Sequence, residues 1–371
     1  MRKLRVALVA PSLDILGGQA VQADRLIAAW RDDPEVDCRL VPVNPVPPGP
    51  LRHACRVKYA RTLATEATYG PLLLRELSRV DIAHVFSASY TSFLLAPLPA
   101  VAVARLLGRP VILNYRSGEA PDHLARSAVA RTVLRRVDHN VVPSRFLVDV
   151  FARHGIDASV IPNVVDTERF RFRARTPLRP RLLCTRNLEP LYNVACTLRA
   201  FRRIQDRWPG ATLTLVGSGS EEPRIRALAG ELDLHGVTFA GRVAPGRIHE
   251  YYADHDIYLQ SPDIDNMPAS LLEAFASGLP VVSTDVGGIR AILTPGEHGL
   301  LAPADDHDGL AAHVLTLLEE PAFGERLARQ AHATCAARTW PVLRDQWLRL
   351  YRSVLPSTAA HATVNPSHDH G

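Results

Sequence analysis

The sequence predicts two α/β domains, each built on a doubly wound parallel sheet with helices on both faces. At 371 residues the chain is longer than one hydrophobic core usually supports. Short apolar runs alternate with helical patterns along both halves, which is typical of parallel sheets. Between the halves, residues 166–180 combine charged residues with two prolines and lack apolar periodicity, as expected of a linker.

Each half contains a series of short apolar segments of strand-like length and composition. In the first half the predicted strands are residues 5–10, 38–43, 82–86, 111–114 and 140–142, with 160–161 as one more short candidate. In the second half they are residues 181–185, 212–216, 237–240, 257–260, 281–283 and 299–301. Amphipathic patterns between the strands predict helices, among them residues 21–30, 269–277, 310–320 and 322–337.

These patterns place a first domain at residues 1–170 and a second domain at residues 171–339. Residues 340–355 form a last amphipathic pattern, which predicts one more helix. Residues 356–371 are polar and contain several histidines. We expect this tail to be disordered rather than metal-binding, because it offers no apolar surface to bury.

The composition is that of an ordinary globular protein, with 47% hydrophobic and 22% charged residues. No apolar run reaches the roughly 18 residues of a membrane span, and the apolar part of the N-terminus is short for a signal peptide. The five cysteines are scattered and never spaced as Cys-x2-Cys, so neither a disulfide framework nor a zinc site is predicted. We therefore expect a cytoplasmic protein.

Nearly all of the positive charge comes from arginine, since Lys3 and Lys58 are the only lysines. The basic excess lies in the first half, in two clusters that contain few acidic residues: Arg52, Arg56, Lys58 and Arg61, then Arg126, Arg131, Arg135 and Arg136. Solvated helix faces explain such clusters, and so does peripheral contact with the anionic inner face of a membrane or with a phosphorylated lipid. Nucleic acid is not predicted as a partner, because no stacking aromatics accompany the arginines.

The most informative segment is residues 261–288, which sets two carboxylates around the start of a helix. Asp265 precedes a turn at residues 266–268, and Glu273 lies on the helix predicted for residues 269–277. A helix N-terminus attracts negative charge, and carboxylates accept hydrogen bonds from hydroxyls. This combination favours a sugar or ribose linked to phosphate, whereas a capped helix leading into a core strand is the plainer alternative.

Three further turns follow predicted strands and carry groups suited to phosphate. Gly17-Gly18 precede the helix at residues 21–30, where backbone N–H groups can approach an anion. Arg186 follows the first strand of the second half and offers a planar fork for two phosphate oxygens. Gly217 and Gly219 form a Gly-x-Gly turn, but Glu222 stands where a dinucleotide fingerprint needs a third glycine, which disfavours an NAD site.

The spacing from Asp265 to Glu273, continued by Ala-Phe-Ala-Ser-Gly-Leu-Pro-Val-Val, resembles the acidic-x7-Glu signature of the retaining family-4 (group 1) glycosyltransferases. The resemblance covers nearly all of residues 3–355. It implies the GT-B fold, in which two Rossmann-like domains face a central cleft and the final helix crosses back to the first domain. It also implies metal-independent, retaining transfer of a sugar from a nucleotide diphosphate sugar to a glycan, a lipid-linked or a small-molecule hydroxyl acceptor.

The resemblance further implies roles for individual residues. Glu273 would bind the ribose hydroxyls, Asp265 the donor sugar, and Arg186 the leaving diphosphate. The other implied donor contacts are Gly17, Gly18, Gly217, Gly219, Arg242, Val243, Asn266, Met267, Pro268, Ser270 and Leu271. On the acceptor side the candidates are Arg116, Glu119 and His123.

The chain also departs from the family pattern. Asp265 replaces the first glutamate. Leu191, Tyr192 and Asn193 lie where the family has a diphosphate-binding lysine, and Arg116 lies about where a histidine often follows the fourth strand. Two alternatives therefore stay open, a nucleotide-sugar 2-epimerase and a catalytically silent sugar-nucleotide-binding subunit.

Residues 263–265 also spell the Asp-x-Asp motif of metal-dependent glycosyltransferases, which have a different, single-domain fold. In those enzymes the motif lies nearer the N-terminus, whereas here it opens the acidic-x7-Glu segment. We therefore expect no metal site and no cofactor besides the nucleotide sugar substrate.

Overall fold

The computed structural model describes residues 2–14, 17–46 and 58–356, with the side chains of residues 58–64 left aside. Arg52 and Arg56 of the first basic cluster, the side chains of Lys58 and Arg61, and the predicted tail from residue 357 onward lie outside this description.

The first sheet has six parallel strands in the order β2-β1-β3-β4-β5-β6. Its strands are β1 (Leu4–Ala10), β2 (Val36–Pro42), β3 (Ile82–Ser87), β4 (Val111–Tyr115), β5 (His139–Val142) and β6 (Ser159–Val160). Strands β3 and β4 are buried along their whole length, because helices cover both faces of the sheet.

The second sheet also has six parallel strands, in the order β12-β11-β10-β7-β8-β9. Its strands are β7 (Arg181–Cys184), β8 (Thr212–Val216), β9 (Val237–Gly241), β10 (Ile257–Leu259), β11 (Val281–Thr284) and β12 (Leu300–Ala302). All twelve predicted strands are present, with ends that differ by one or two residues. The predicted pair of doubly wound parallel sheets is confirmed.

Helices connect consecutive strands and cover the sheets. Those of the first half are α1 (Gly18–Trp30), α2 (Lys58–Leu77), α3 (Tyr90–Leu95), α4 (Pro97–Leu106), α5 (Ala120–Arg126), α6 (Ala128–Leu134) and α7 (Arg145–Ala152). Those that follow are α8 (Val194–Arg207), α9 (Glu222–Glu231), α10 (Ile248–Asp254), α11 (Ala269–Ser277), α12 (His307–Glu319), α13 (Pro321–Ala333) and α14 (Trp340–Ser353). None of the helices in the described part of the chain is long and apolar enough to cross a bilayer.

The last helix, α14, packs against the first sheet although it follows the second sheet in sequence. Trp347 and Tyr351 are buried in the same core as alternate residues of β1. The Tyr351 hydroxyl bonds Nδ1 of buried His84 at 2.9 Å. Arg344 donates to Asp33 at 2.5 Å, on the loop before β2, so both apolar and ionic contacts fix the helix.

The segment that leads into the second sheet is anchored by one buried carboxylate, Asp256. Arg173 and Arg179, which precede and follow Arg175 in the sequence, each donate to Asp256 at 2.8 Å. Arg175 is itself buried and donates to the backbone carbonyls of Tyr252, His255, Arg173 and Ser277. Burial alone would raise the pKa of Asp256, but the hydrogen bonds from Arg179 and Arg173 lower it overall.

We expect Asp256→Asn to lower the free energy of unfolding by about 2–4 kcal/mol. This loss is slightly smaller than that for breaking a fully buried ion pair, because Arg173 and Arg179 are partly exposed. Because the pKa of Asp256 is lowered by folding, its stabilisation is present above the unfolded-state pKa of about 3.9 and is lost as pH falls through the lower, folded value. Urea titrations between pH 7 and pH 3 measure both effects. Asp206→Asn, in an exposed pair with Arg202, is the matched control; equal losses in both variants would contradict an anchoring role.

Candidate active site

A cleft of about 630 Å³ lies between the two sheets, at the carboxyl ends of their strands. Parallel α/β folds bind ligands at this edge. The predicted site residues that line it are Gly17, Gly18, Arg116, Glu119, Arg186, Gly217, Gly219, Arg242, Val243, Asp265, Asn266, Met267, Pro268, Ser270 and Glu273. The structure thus brings together fifteen of the seventeen predicted residues.

The other two predicted side chains do not reach the cleft. Leu271 is fully buried in the core against which α11 packs. His123 is buried among Tyr90, Phe93 and Tyr115, and its Nδ1 bonds the Tyr115 hydroxyl at 2.8 Å. Burial lowers the pKa of His123, which favours the neutral ring. Neither side chain lines the cleft, and the predicted roles of Leu271 and His123 stay predictions.

The turn that carries Asp265 is held by a close approach of backbone to backbone. The N–H of Gly288 donates to the Asp265 carbonyl at 3.1 Å. A Cβ on Gly287 would lie 2.0 Å from that carbonyl oxygen, and one on Gly288 would lie 2.3 Å from the Asn266 oxygen. Only glycine permits this packing, and Gly287 also has φ +52°.

The turn is also bonded from the other side of the cleft. Asn163 donates through Nδ2 to the Met267 carbonyl at 2.9 Å, and Ser144 donates to Oδ1 of Asn266 at 2.5 Å. A Cβ on Gly118 would touch the Asp265 carbonyl carbon at 3.0 Å. Residues 265–267 are thus fixed by both halves of the chain. Ser144 and Asn163 were not predicted as site residues, although both directly follow strands.

Arg186 is held in a defined orientation at the end of β7. Nη2 donates to Asp265 at 2.5 Å, Nη1 donates to Ser270 at 3.2 Å, and the guanidinium lies 3.9 Å from the ring centroid of Tyr192. Burial alone would lower the pKa of Arg186, but the Asp265 carboxylate raises it above its usual value. Arg186 therefore stays charged, with a buried Nε that has no hydrogen-bond partner.

Glu273 forms an ion pair across the cleft that the sequence analysis missed. Arg25 on α1 donates to Glu273 at 2.5 Å, and both side chains are largely buried. Arg25 lies seven residues after Gly18, two turns along the same helix face. That spacing could have indicated that Arg25 faces the cleft. The neighbouring sequence does not indicate which acidic residue Arg25 contacts.

The glycines of the site have different surroundings. A Cβ on Gly217 or Gly219 would lie within 2.3 Å of a carbonyl oxygen of Arg186 or Leu188, so these glycines let two turns pack together. Beside Gly17 and Gly18, by contrast, a Cβ would meet nothing within 4 Å. Within the described part of the chain, Gly17 and Gly18 therefore border open space.

Two family models match the chain. One, described as Glycosyltransferase Family 4, covers residues 16–169, and the other, Glycosyl transferases group 1, covers residues 179–320. The chain belongs to the family-4, group 1 glycosyltransferases.

Relatives and solved structures agree with this assignment. The glycosyltransferase is 26% identical over 385 residues to the phosphatidyl-myo-inositol mannosyltransferase of Mycobacterium tuberculosis, covering 96% of this chain and 98% of the relative. It is 28% identical over 295 residues to the D-inositol 3-phosphate glycosyltransferase of Rhodococcus opacus, covering 74% and 64% of the two chains.

Two solved structures share its fold. Anabaena Alr3699/HepE, in complex with UDP and glucose, superposes with a TM-score of 0.74 at 16% identity, covering 94% of this chain and 100% of that one. The sucrose-phosphate synthase of Thermosynechococcus elongatus gives a TM-score of 0.77 at 20% identity, covering 95% and 99%. The predicted GT-B fold of the glycosyltransferase is confirmed.

The Asp-x-Asp sequence of the glycosyltransferase is not arranged as a cluster. Asp263 accepts a hydrogen bond from Asn193 at 3.0 Å, whereas Asp265 faces Arg186. Within residues 2–14, 17–46 and 65–356, no three His, Cys, Asp or Glu side chains are grouped as metal ligands would be.

Gly287→Ala should strongly reduce activity of the glycosyltransferase, because the added methyl group displaces the Asp265 carbonyl and with it the carboxylate. Gly296→Ala is the matched control, since Gly296 also has positive φ, +76°, but a Cβ there meets nothing within 4 Å. Both substitutions destabilise the backbone by about 1 kcal/mol, because alanine disfavours positive φ. Only in Gly287→Ala does the added methyl group also collide with the Asp265 carbonyl. Activity and thermal melting of both variants check this; equal behaviour would show that the collision is relieved without moving Asp265.

Proposed function

We propose that the protein is a retaining glycosyltransferase that moves a sugar from a nucleoside diphosphate sugar to a hydroxyl acceptor without a metal ion. The observation that carries this proposal is the pair of carboxylates, Asp265 and Glu273, on either side of the start of α11, with the Arg186 fork bonded to the same turn. Carboxylates suit the hydroxyls of sugar and ribose, and the guanidinium suits phosphate.

In this proposal each side chain exchanges its present partner for the substrate. Glu273 leaves Arg25 to accept the two ribose hydroxyls, and Asp265 with the backbone of residues 266–268 binds the donor sugar. Arg186 turns its fork toward the diphosphate. The open space beside Gly17 and Gly18 supports this arrangement, because backbone N–H groups at the start of α1 have room for an anion.

The leaving diphosphate gains negative charge as the bond to the sugar breaks. Arg186 stabilises that charge together with the helix N-termini and glycine turns, so no metal is required. Same-face attack by the acceptor hydroxyl on an oxocarbenium-like centre retains the configuration and needs no enzyme nucleophile. The acceptor lies on the first half of the cleft, and the relatives named as acting on inositol-containing molecules support a phosphorylated polyol or a lipid-linked one.

The test is transfer of labelled sugar from UDP-, GDP- and ADP-sugars to inositol phosphate, phosphatidylinositol in vesicles and oligosaccharide acceptors. Product NMR gives the anomeric configuration, and parallel reactions contain EDTA. We expect a retained product at an EDTA-independent rate. Inverted product or Mn²⁺-dependent activity contradicts the mechanism, an acceptor-free epimer identifies a 2-epimerase, and nucleotide-sugar binding without turnover identifies a silent subunit.

Glu273→Gln should weaken nucleotide binding, because an amide has one acceptor atom where the carboxylate has two. The loss should be about 1.5–3 kcal/mol, the range for hydrogen bonds to charged groups, measured by calorimetry on the folded variant. Arg25→Gln breaks the same ion pair from the other side and should not weaken binding, since it frees the carboxylate. Equal weakening in both variants would mean that the ion pair, and not a bond to ribose, supports the nucleotide.

Arg186→Ala should lower kcat by about 10²–10³, the scale for loss of one preorganised donor, with a smaller effect on donor affinity. The reason is that diphosphate charge grows toward the transition state. Arg186→Lys keeps the charge but loses the fork and the stacking on Tyr192, so it should recover only part of the rate. A raised KM at unchanged kcat would instead make Arg186 a uniform binding residue.

A further inference from the structure

Among the residues that the structure describes, Arg116, at the end of β4, is a cation in the cleft with neutral partners only. Its Nη1 donates to Asn114 at 3.4 Å, its Nη2 donates to Asn163, and its guanidinium lies 4.7 Å from the ring centroid of Phe86. Among the described side chains no carboxylate lies within ion-pair distance of it. Its Nε is inaccessible to solvent and has no hydrogen-bond partner.

The other two cleft arginines with largely covered side chains are compensated. Arg25 faces Glu273, and Arg186 faces Asp265. A covered charge without a counterion is costly, so proteins rarely keep one unless it serves a ligand. The amide oxygens and the aromatic ring orient the Arg116 guanidinium without neutralising it. In keeping with this, burial lowers the pKa of Arg116 to about 10, so the group remains charged near neutral pH.

Arg116 is tied to the turn that also holds Arg186. Its partner Asn163 donates to the Met267 carbonyl, and Arg186 contacts Asp265 and Ser270 of the same turn and helix start. Two guanidinium groups therefore border residues 265–270, one from each half of the chain. An anion between them would lie next to the sugar that Asp265 binds.

We propose that Arg116 binds the β-phosphate of the donor and is the second cation of the leaving-group site. This inference rests on the proposed function. As the bond between the anomeric carbon and the β-phosphate oxygen breaks, its electron pair stays on that oxygen. The acceptor hydroxyl forms the new carbon–oxygen bond and its proton passes to the departing diphosphate. Arg116 stabilises the diphosphate from the first half of the cleft, while Arg186 does so from the second.

The experiment compares binding of nucleoside diphosphates and monophosphates to wild type, Arg116→Gln and Arg116→Lys. Calorimetry with UDP, GDP and ADP first identifies the base that the wild type prefers. Arg116→Gln should then lower the affinity for the diphosphate about ten- to a hundred-fold and leave the affinity for the matching monophosphate nearly unchanged. Arg116→Lys should recover part of the lost affinity. Arg202→Gln, which removes one exposed charge, should leave both affinities unchanged.

Folding is checked separately by thermal melting. Arg116→Gln should melt at or above the wild-type temperature, because it removes an uncompensated charge, and the diphosphate should raise its melting temperature less than it does for wild type. If Arg116→Gln does not fold, the same comparisons are made with Arg116→Lys. This variant should lower the affinity for the diphosphate more than the affinity for the monophosphate.

Three outcomes overturn the inference. Diphosphate affinity equal to wild type in a folded Arg116→Gln removes the residue from the diphosphate site. Equal weakening of monophosphate and diphosphate excludes a β-phosphate contact, and a raised KM for a phosphorylated acceptor with unchanged diphosphate affinity moves the anion to the acceptor. If the wild type binds none of the nucleotides, it is the proposed function that fails.

Discussion

The geometry of the cleft depends on the close backbone contact between the turn at residues 265–267 and Gly287-Gly288. That contact brings the loop after β11 against the loop after β10 at a distance that no side chain permits. The helix α11 starts from this turn, so the contact also fixes where Ser270 and Glu273 project. Asn163 and Ser144 fasten the same turn from the first half, and Arg186 from β7. One short turn thus determines the relative positions of groups from both sheets.

Charge in the cleft follows from this arrangement. The carboxylates on either side of the start of α11 both face arginines: Asp265 faces Arg186 of its own half, and Glu273 faces Arg25 from across the cleft. Each ion pair satisfies groups that would otherwise be buried and unpaired. In the proposed function, substrate hydroxyls and phosphates would offer the same kinds of hydrogen bond, so binding would exchange partners rather than expose new charge. Among the described arginines of the cleft with largely covered side chains, Arg116 is the exception, because its partners are amides and a ring.

Local patterns in the sequence predicted the elements well, because they report burial and chain direction. The bounds of α11 agree with the prediction at both ends, since Pro268 precedes its first turn and Gly278 ends it in the left-handed conformation. Contacts between distant residues were not predictable: Arg25 meets Glu273 over 248 positions of sequence. The position of the Leu271 and His123 side chains outside the cleft was not predictable for a related reason. Spacing along a helix or loop predicts which segment lies near the site. It does not predict which side chains of that segment face the core, because that depends on packing against residues distant in sequence.

The lack of a lysine near Leu191, Tyr192 and Asn193, where the resembled family has one, is part of a wider absence of lysine from most of the chain. Residues 59–371 contain no lysine at all, so the whole second sheet and its half of the cleft lack a side-chain primary amine. Lysine amines are the side-chain groups that reducing sugars modify by glycation. Arginine stacked on tyrosine binds anions without offering that nucleophile. The second half of this chain therefore has no lysine side chain that glycation could modify.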